Sequence, residues 1–422
     1  MDCEYVGGSF THETIFCMAA SKSDALGLYI SIPFCRSKCT YCNFASGVYP
    51  ASEHERYVER LIEDMAAASA WAAHTGVELP RSVDTIYLGG GTPSLLAPEL
   101  ITRLFSAIRS NFDLNPDAEI TVECAPGQLA DETLAAMVAS GVNRVSLGVQ
   151  SFIDREAAVS GRLHTRAKVF EDINRLSTAG ITNISVDLIA GLPNQTLASW
   201  QESLAALAEC GVPHASVYML EVDEDSRLGR EMLAGGARYH AGLVPMDDAI
   251  AQMYSVALET LCRAGLQQYE ISNFCRSGFA SRHNLRYWQR RPYLGLGLDA
   301  SSMLRGSTKS GHVLRSTTTS DLAEYMKRPE PVETQWLSPQ RQHEEAWFLG
   351  LRLNAGVEVA TVEHEFGQEM VAPALEAVAG LVQAELVVSD GKTVRLTPQG
   401  QLLSNNVFQE FLELEEKIGS GD

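Results

Sequence analysis

Apolar residues in this chain fall into short runs bounded by glycine, proline and polar residues, and the runs alternate with segments of helical period. The first run, Tyr29-Ile30-Ser31-Ile32, reads as a strand that Pro33 and Phe34 bring to an end. Over 53–74 the apolar positions include Tyr57, Leu61, Met65 and Ala68, the spacing of one helix face. A strand over 83–88 runs into Gly89-Gly90-Gly91-Thr92-Pro93-Ser94, and a helix follows over about 98–111. The unit then recurs: strands over 119–123, 144–150, 183–188 and 214–220, separated by helices over 131–140, 167–179 and 197–210. Six strands alternating with helices require a parallel sheet with right-handed crossovers. The expected fold class is therefore α/β, an open, incomplete (β/α)6 barrel. Chemistry in such folds gathers at the carboxyl ends of the strands. Cys35, Gly90, Glu123, Gln150, Asp187 and Tyr218 all stand there and should ring one mouth.

Beyond about residue 239 the pattern changes. A helix over 245–264 precedes a strand-like run over 269–274, a polar and aromatic stretch over 281–288, and the glycine-bearing run 293–300. Residues 306–320 are rich in serine and threonine and read as an exposed loop. From Ser338 onward helices pass through Trp347 and Leu351, over 359–366 and over 372–384, and a hairpin over 386–396 turns at Asp390-Gly391. Helices followed by a two-stranded ribbon predict a winged-helix-like C-terminal domain. Its helices carry Glu358, Glu363, Glu365, Glu369 and Glu376, so an architectural role fits better than DNA binding. The expected organisation is a disordered extension over 1–26, a barrel over 27–238, a connecting region over 239–335 and the C-terminal domain over 336–422.

The chain has 422 residues, with 33 basic against 53 acidic and a net charge of −20. Such a surface repels phosphate backbones and anionic headgroups, which argues against general nucleic-acid or membrane binding. No apolar run has the length of a transmembrane segment. Met1 to Ala20 contain Asp2, Glu4 and Glu13 and lack a basic start, so they do not read as a secretory signal. Met18 can serve as a start as well as Met1, because Ala19 to Ala25 lead directly to the first strand. Nine scattered cysteines, an odd number in a large chain, point to a reducing, cytoplasmic setting rather than a disulfide framework.

Three of those cysteines carry the chemistry. Cys35, Cys39 and Cys42 stand three and then two residues apart on a short loop, a spacing that lets three sulfurs converge. Thiolates select zinc, Cu(I) or iron–sulfur clusters. Phe44 occupies the place where a further cysteine might be looked for, and the nearest histidine is His54. A four-iron cluster on three cysteines keeps one iron open to a small ligand. A zinc loop completed by a distant residue, or three unrelated packing cysteines, are the alternatives. The glycine loop at 89–92 can present amides to a carboxylate or phosphate, or be a tight turn. Glu123, Gln150, Arg162 and Asp187 lie near the mouth, and each buried without a partner would cost about 1–3 kcal/mol. They either bind a ligand or pair with one another, Arg162 with Asp187 above all. His283 is either a ligand or a structural histidine bonded within the chain.

The cysteine spacing resembles that of the radical S-adenosylmethionine (SAM) superfamily. The resemblance implies a [4Fe-4S] cluster on Cys35, Cys39 and Cys42 whose open iron is chelated by SAM. It also implies SAM contacts from Tyr29, Tyr41, Gly90, Gly91, Thr92, Glu123, Gln150, Arg162 and Asp187. Stretches 29–42, 89–94, 146–151, 187–193, 269–274 and 283–288 together resemble the oxygen-independent coproporphyrinogen III dehydrogenase family. That family has two branches. The dehydrogenases carry a longer N-terminal arm and another cysteine two residues after the third. The HemW-type heme chaperones end the cysteine motif Cys-Asn-Phe and carry His-Asn-x-x-Tyr-Trp. Cys42-Asn43-Phe44 and His283-Asn284-Leu285-Arg286-Tyr287-Trp288 match the second branch. One departure is Glu123-Cys124-Ala125-Pro126, where the family more often has asparagine before proline. The chaperone branch implies heme as a ligand, a heme-accepting protein as partner and an electron donor. His283 is the heme contact it singles out, with Tyr287 and Trp288 stacking on the porphyrin and His164, His240 and Cys275 as weaker candidates. The alternative is the dehydrogenase activity itself, in which a 5′-deoxyadenosyl radical from SAM leads to decarboxylation of coproporphyrinogen III propionates.

Overall fold

A computed structural model describes residues 25–307, 311–327 and 333–412 of the chain. The expected six strands form, as β1 (Leu26–Ile32), β2 (Ser82–Gly90), β3 (Asp113–Cys124), β4 (Arg144–Gln150), β5 (Asn183–Ala190) and β6 (His214–Met219). They lie side by side in chain order and pair in parallel throughout. The helices joining them include α1 (Ala51–Thr75), α2 (Pro98–Asn111), α3 (Asp131–Ala139), α4 (Arg166–Thr178) and α5 (Leu197–Cys210). Val145, Leu147 and Val149 of β4, with Ile184, Val186 and Leu188 of β5, join the main hydrophobic core. The alternate positions are polar: Arg144, Ser146 and Gln150 on β4, and Ser185 and Asp187 on β5. Because strand side chains alternate between faces, this pattern sends apolar residues toward the helices and lines the barrel interior with polar groups.

The sheet does not stop at six strands. Its order is β12-β11-β10-β9-β1-β2-β3-β4-β5-β6-β8-β7, where β7 (Gln267–Glu270) and β8 (Asn273–Cys275) extend one edge. The other edge carries β9 (Tyr293–Leu296), β10 (Ser301–Arg305), β11 (Val313–Thr317) and β12 (Glu333–Leu337). β9 pairs in parallel with β1. The stretch expected as a connecting region thus supplies β7 to β11 and the start of β12 to the same sheet as β1 to β6. The exposed loop expected over 306–320 is corrected too: Val313–Thr317 is a strand with Leu314 and Ser316 buried. The strand-like run 269–274 folds back on itself as antiparallel β7 and β8. Gly297, at φ +99°, lets β9 leave the sheet where an added Cβ would meet the Tyr57 hydroxyl at 2.5 Å. Of the extension expected over 1–26, Leu26 already belongs to β1 and is fully buried, while 1–24 and both Met1 and Met18 lie outside the described residues.

A short helix, α6 (Arg282–Trp288), crosses beneath the barrel. The C-terminal part packs α7 (Pro339–Gly350), α8 (Val359–Phe366) and α9 (Gln368–Gln383) on a small sheet in which β15 (Thr393–Leu396) lies between β13 (Val357–Glu358) and β14 (Val387–Ser389). There β14 and β15 form the expected hairpin. The helix expected from 372 begins four residues earlier, so that Pro373 lies inside it. A separate core holds this part together, with Trp347 stacked on Phe411 at 5.2 Å.

Candidate functional site

The loop after β1 is fixed by its own backbone and by its neighbours. Cys35 N–H donates to Gly47 O (2.8 Å) and Gly47 N–H to Pro33 O (2.9 Å), closing the loop on itself. The Lys38 ammonium donates to the carbonyls of Phe44 (2.9 Å) and Ser46 (3.0 Å). Thr40 N–H donates to Ser160 O, and Gly161 approaches so closely that its added Cβ would sit 3.2 Å from Cys39 Cα. All three cysteines line one cavity of about 570 Å³ at the mouth of the barrel. Burial pushes the Cys35 and Cys42 thiols above their ordinary value, and the neighbouring sulfurs add to the shift. Among the described residues no His, Cys, Asp or Glu trio closes into a single-ion site. Phe44 is 62% exposed, and His54 stacks on Phe34 at 3.9 Å.

The six strand-end residues expected to ring the mouth all line this cavity: Cys35, Gly90, Glu123, Gln150, Asp187 and Tyr218. Tyr41, Gly91, Thr92 and Arg162 line it as well. The glycine loop lies against the end of β1, for an added Cβ at Gly91 would be 2.7 Å from Ile32 O. Gly91 N–H donates to Ile32 O and Thr92 N–H to Phe34 O, so those two amides are not offered to an anion. Thr92 Oγ1 stands 4.0 Å from Cys35 Sγ. Glu123 accepts from the Tyr87 hydroxyl at 2.8 Å; burial raises its carboxyl to about 7, against the lowering effect of that hydrogen bond. Gln150 ends β4 at φ 68°, and its Oε1 is buried without a hydrogen-bond partner.

Arg162 does not pair with Asp187. It donates to Gly148 O and approaches Cys39 Sγ at 3.6 Å. Asp187 instead accepts from Ser146 Oγ (2.8 Å) and Ser185 Oγ (3.1 Å), and burial raises its carboxyl. Tyr29 does not line this cavity, although its hydroxyl would lie 3.5 Å from a Cβ added at Gly90. It stacks on Tyr87 at 6.3 Å and lines a second cavity of about 340 Å³ with Tyr287, Trp288, Tyr293 and Arg315.

His283, the residue singled out for heme, is held within the fold. It is fully buried, its Nδ1 is bonded to Thr85 Oγ1 (2.9 Å) and its Nε2 to the Tyr287 hydroxyl (2.8 Å). Burial lowers its pKa to about 3, so the ring stays neutral and both nitrogens are committed within the fold. Arg286 of the same helix is buried beside it, bonded to Asp84, Ala25 O and Pro292 O. Of the weaker candidates, burial drives His164 down to about 4 and the Cys275 thiol up to about 12, and His240 is exposed. None of the four lines either cavity. Among the lining residues that escaped sequence reasoning are Tyr87, Arg144 and Asn284. The polar alternation within otherwise apolar strands was the available signal for the first two.

Residues 29–207 match the radical SAM superfamily, and 337–403 match the HemN C-terminal domain. The heme chaperone HemW of Lactococcus lactis is 34% identical to this chain over 91% of it and 96% of the relative. That of Bacillus subtilis is 34% identical over 91% and 98%. The chain belongs to the HemW family. A solved coproporphyrinogen III oxidase, HemN from Escherichia coli, superposes with a TM-score of 0.78 at 23% identity, over 92% of this chain and 90% of that one. At that identity the likeness shows the shared fold, the radical SAM barrel with its added C-terminal part.

Proposed function

We infer that this chain is a heme chaperone: it binds heme and hands it to a heme-accepting protein, with a [4Fe-4S] cluster on Cys35, Cys39 and Cys42 and SAM at the open iron. The observation that carries the reading is the convergence of three cysteines on one barrel-mouth cavity in a chain that matches HemW relatives over nearly their whole length. The residues present fit such a centre. Three soft donors face one cavity, and Gln150 Oε1 is unsatisfied at its wall. The cluster would supply electron transfer and a Lewis-acidic iron. The chain's own residues do the rest. Lys38 and the Cys35–Gly47 pairing hold the loop's shape, Arg162 brings positive charge to Cys39, and Glu123 and Asp187 bring two carboxyls to the same cavity. Carboxyls suit the amino, sulfonium and ribose hydroxyl groups of SAM.

For heme, the commitment of both His283 nitrogens favours contacts through porphyrin faces or carboxylates over an iron–imidazole bond from this residue. Its role is to fix α6 under the barrel. Among the described residues no helix is long and apolar enough to cross a membrane, and the cysteine usage supports a cytoplasmic site of action. The test is transfer: anaerobically reconstituted protein loaded with one equivalent of heme is mixed with an apo-hemoprotein, and the acceptor's Soret band is followed. Appearance of holo-acceptor faster than from free heme or heme-albumin supports the reading, and an equal or slower rate rejects it.

The second reading, coproporphyrinogen III dehydrogenase, is favoured by one observation, the likeness of the whole fold to the solved HemN structure. Against it stands Phe44, exposed beside the third cysteine.

A further inference from the structure

The floor of the 570 Å³ cavity is formed in part by Arg144, which begins β4, and by Asn284 of α6. Arg144 is only 2% exposed, yet its side chain makes no hydrogen bond and no ion pair among the described residues, and its Nε is buried without a partner. Its charge is faced by two carboxylates, Glu119 and Asp187, and by the Tyr87 and Tyr269 hydroxyls, with His214 and His283 also near. Both carboxylates are committed elsewhere. Asp187 accepts from Ser146 and Ser185; Glu119 accepts from Arg282 N–H (3.0 Å), His283 N–H (3.0 Å) and Ser281 Oγ (3.5 Å). The Asn284 carboxamide likewise has no hydrogen-bond partner among the described residues, although its backbone N–H donates to the capping Ser281 Oγ (3.3 Å).

A buried guanidinium whose fork is unspent is costly unless something completes it, and a planar carboxylate is the group that matches its geometry. The second cavity offers no such cation, for its Arg315 is already bonded to Glu345 at 2.9 Å. We propose that Arg144 and Asn284 form a carboxylate subsite on the floor of the cluster cavity that receives a propionate of the tetrapyrrole. The proposal rests on the heme-chaperone reading for the identity of that carboxylate. It places the porphyrin in the cavity that holds the three cysteines, beneath the strand-end ring, rather than against Tyr287 and Trp288.

The experiment titrates heme and heme dimethyl ester into anaerobically reconstituted protein and measures SAM affinity in parallel. The variants are Arg144→Lys, Arg144→Met, Asn284→Ala and Trp288→Ala. Wild type is expected to bind heme at least about tenfold more tightly than the ester, the range of a charge-assisted hydrogen bond. Arg144→Met and Asn284→Ala should each weaken heme about tenfold or more and leave the ester within about twofold. Arg144→Lys, which keeps the charge and loses the fork, should fall between. If Arg144→Met fails to fold, Asn284→Ala still decides, since that carboxamide bonds to nothing else. Equal affinity of wild type for heme and ester overturns the subsite and leaves heme binding intact. Weakened SAM with unchanged heme assigns the carboxylate to SAM instead, and loss of heme only in Trp288→Ala moves the porphyrin to the second cavity; either overturns the proposal. No binding of heme or ester by wild type rejects the chaperone reading and the subsite with it.

Discussion

Glu123 is a stability liability that a cationic ligand should relieve. Its carboxyl titrates near 7 in the folded chain against an ordinary value of 4.5, burial being the main cause. A raised folded pKa means that folding is favoured by the protonated form. The group's relative contribution is therefore best below pH 4.5, declines as pH rises from 4.5 to 7, and is worst above 7. At about 1.4 kcal/mol per pH unit the full cost is about 3 kcal/mol. The carboxylate borders the cavity and is only partly buried, so water screens part of that, and about 1–2 kcal/mol is the expected figure. Glu123→Gln keeps an acceptor for the Tyr87 hydroxyl and removes the charge. Anaerobic urea unfolding of the cluster-free protein should show the variant more stable than wild type by about that amount at pH 8, with the difference shrinking toward pH 5. SAM binding should move the other way, weakened in the variant and, in wild type, strengthening as pH rises toward 7. A stability difference that is absent, or constant between pH 5 and pH 8, refutes the reasoning.

Alanine at any one of Cys35, Cys39 or Cys42 should abolish the cluster absorbance after anaerobic reconstitution; a variant that keeps a stoichiometric four-iron centre removes that residue from the ligand set. Gly90→Ala places a Cβ 2.8 Å from Ser31 Oγ at a φ of +94°. It should cost about 1–3 kcal/mol and lower the thermal midpoint, and an unshifted midpoint means the loop relaxes freely. His283→Gln should cost about 1–3 kcal/mol at pH 7 through its two hydrogen bonds. Because the folded pKa is depressed to about 3, the wild-type contribution is present above 6.5 and lost as pH falls from 6.5 toward 3, so the variant should be less acid-sensitive in unfolding. Its heme affinity per folded molecule should stay within about twofold of wild type, and a larger loss would restore His283 to the heme site.

The parallel strands and the ring at their ends were legible because both follow from local pattern. Period-two apolar runs give β1 to β6, and the residue at each carboxyl end faces one mouth. What escaped was set by contacts distant in sequence. β9 joins the sheet by pairing with β1, and the Ser/Thr-rich stretch around Val313 becomes a strand only because β10 and β12 flank it. His283 looked available for a ligand in a polar, aromatic motif, yet its partner Thr85 is 198 residues away. Arg144 stands at the start of the strand predicted over 144–150. The polar alternation Arg144, Ser146, Gly148, Gln150 already distinguished an interior face, but which cation on that face lacks a partner is decided by where Glu119 and Asp187 spend their oxygens.

The measurement that bears most directly on the central claim is an anaerobic incubation of the reconstituted protein with SAM, reductant and coproporphyrinogen III, with porphyrins separated by chromatography, beside a heme titration of the same preparation. The account predicts heme binding near one equivalent and no decarboxylated product above a Cys39→Ala control. Turnover well above that control, or an intact cluster with no heme bound, would contradict it.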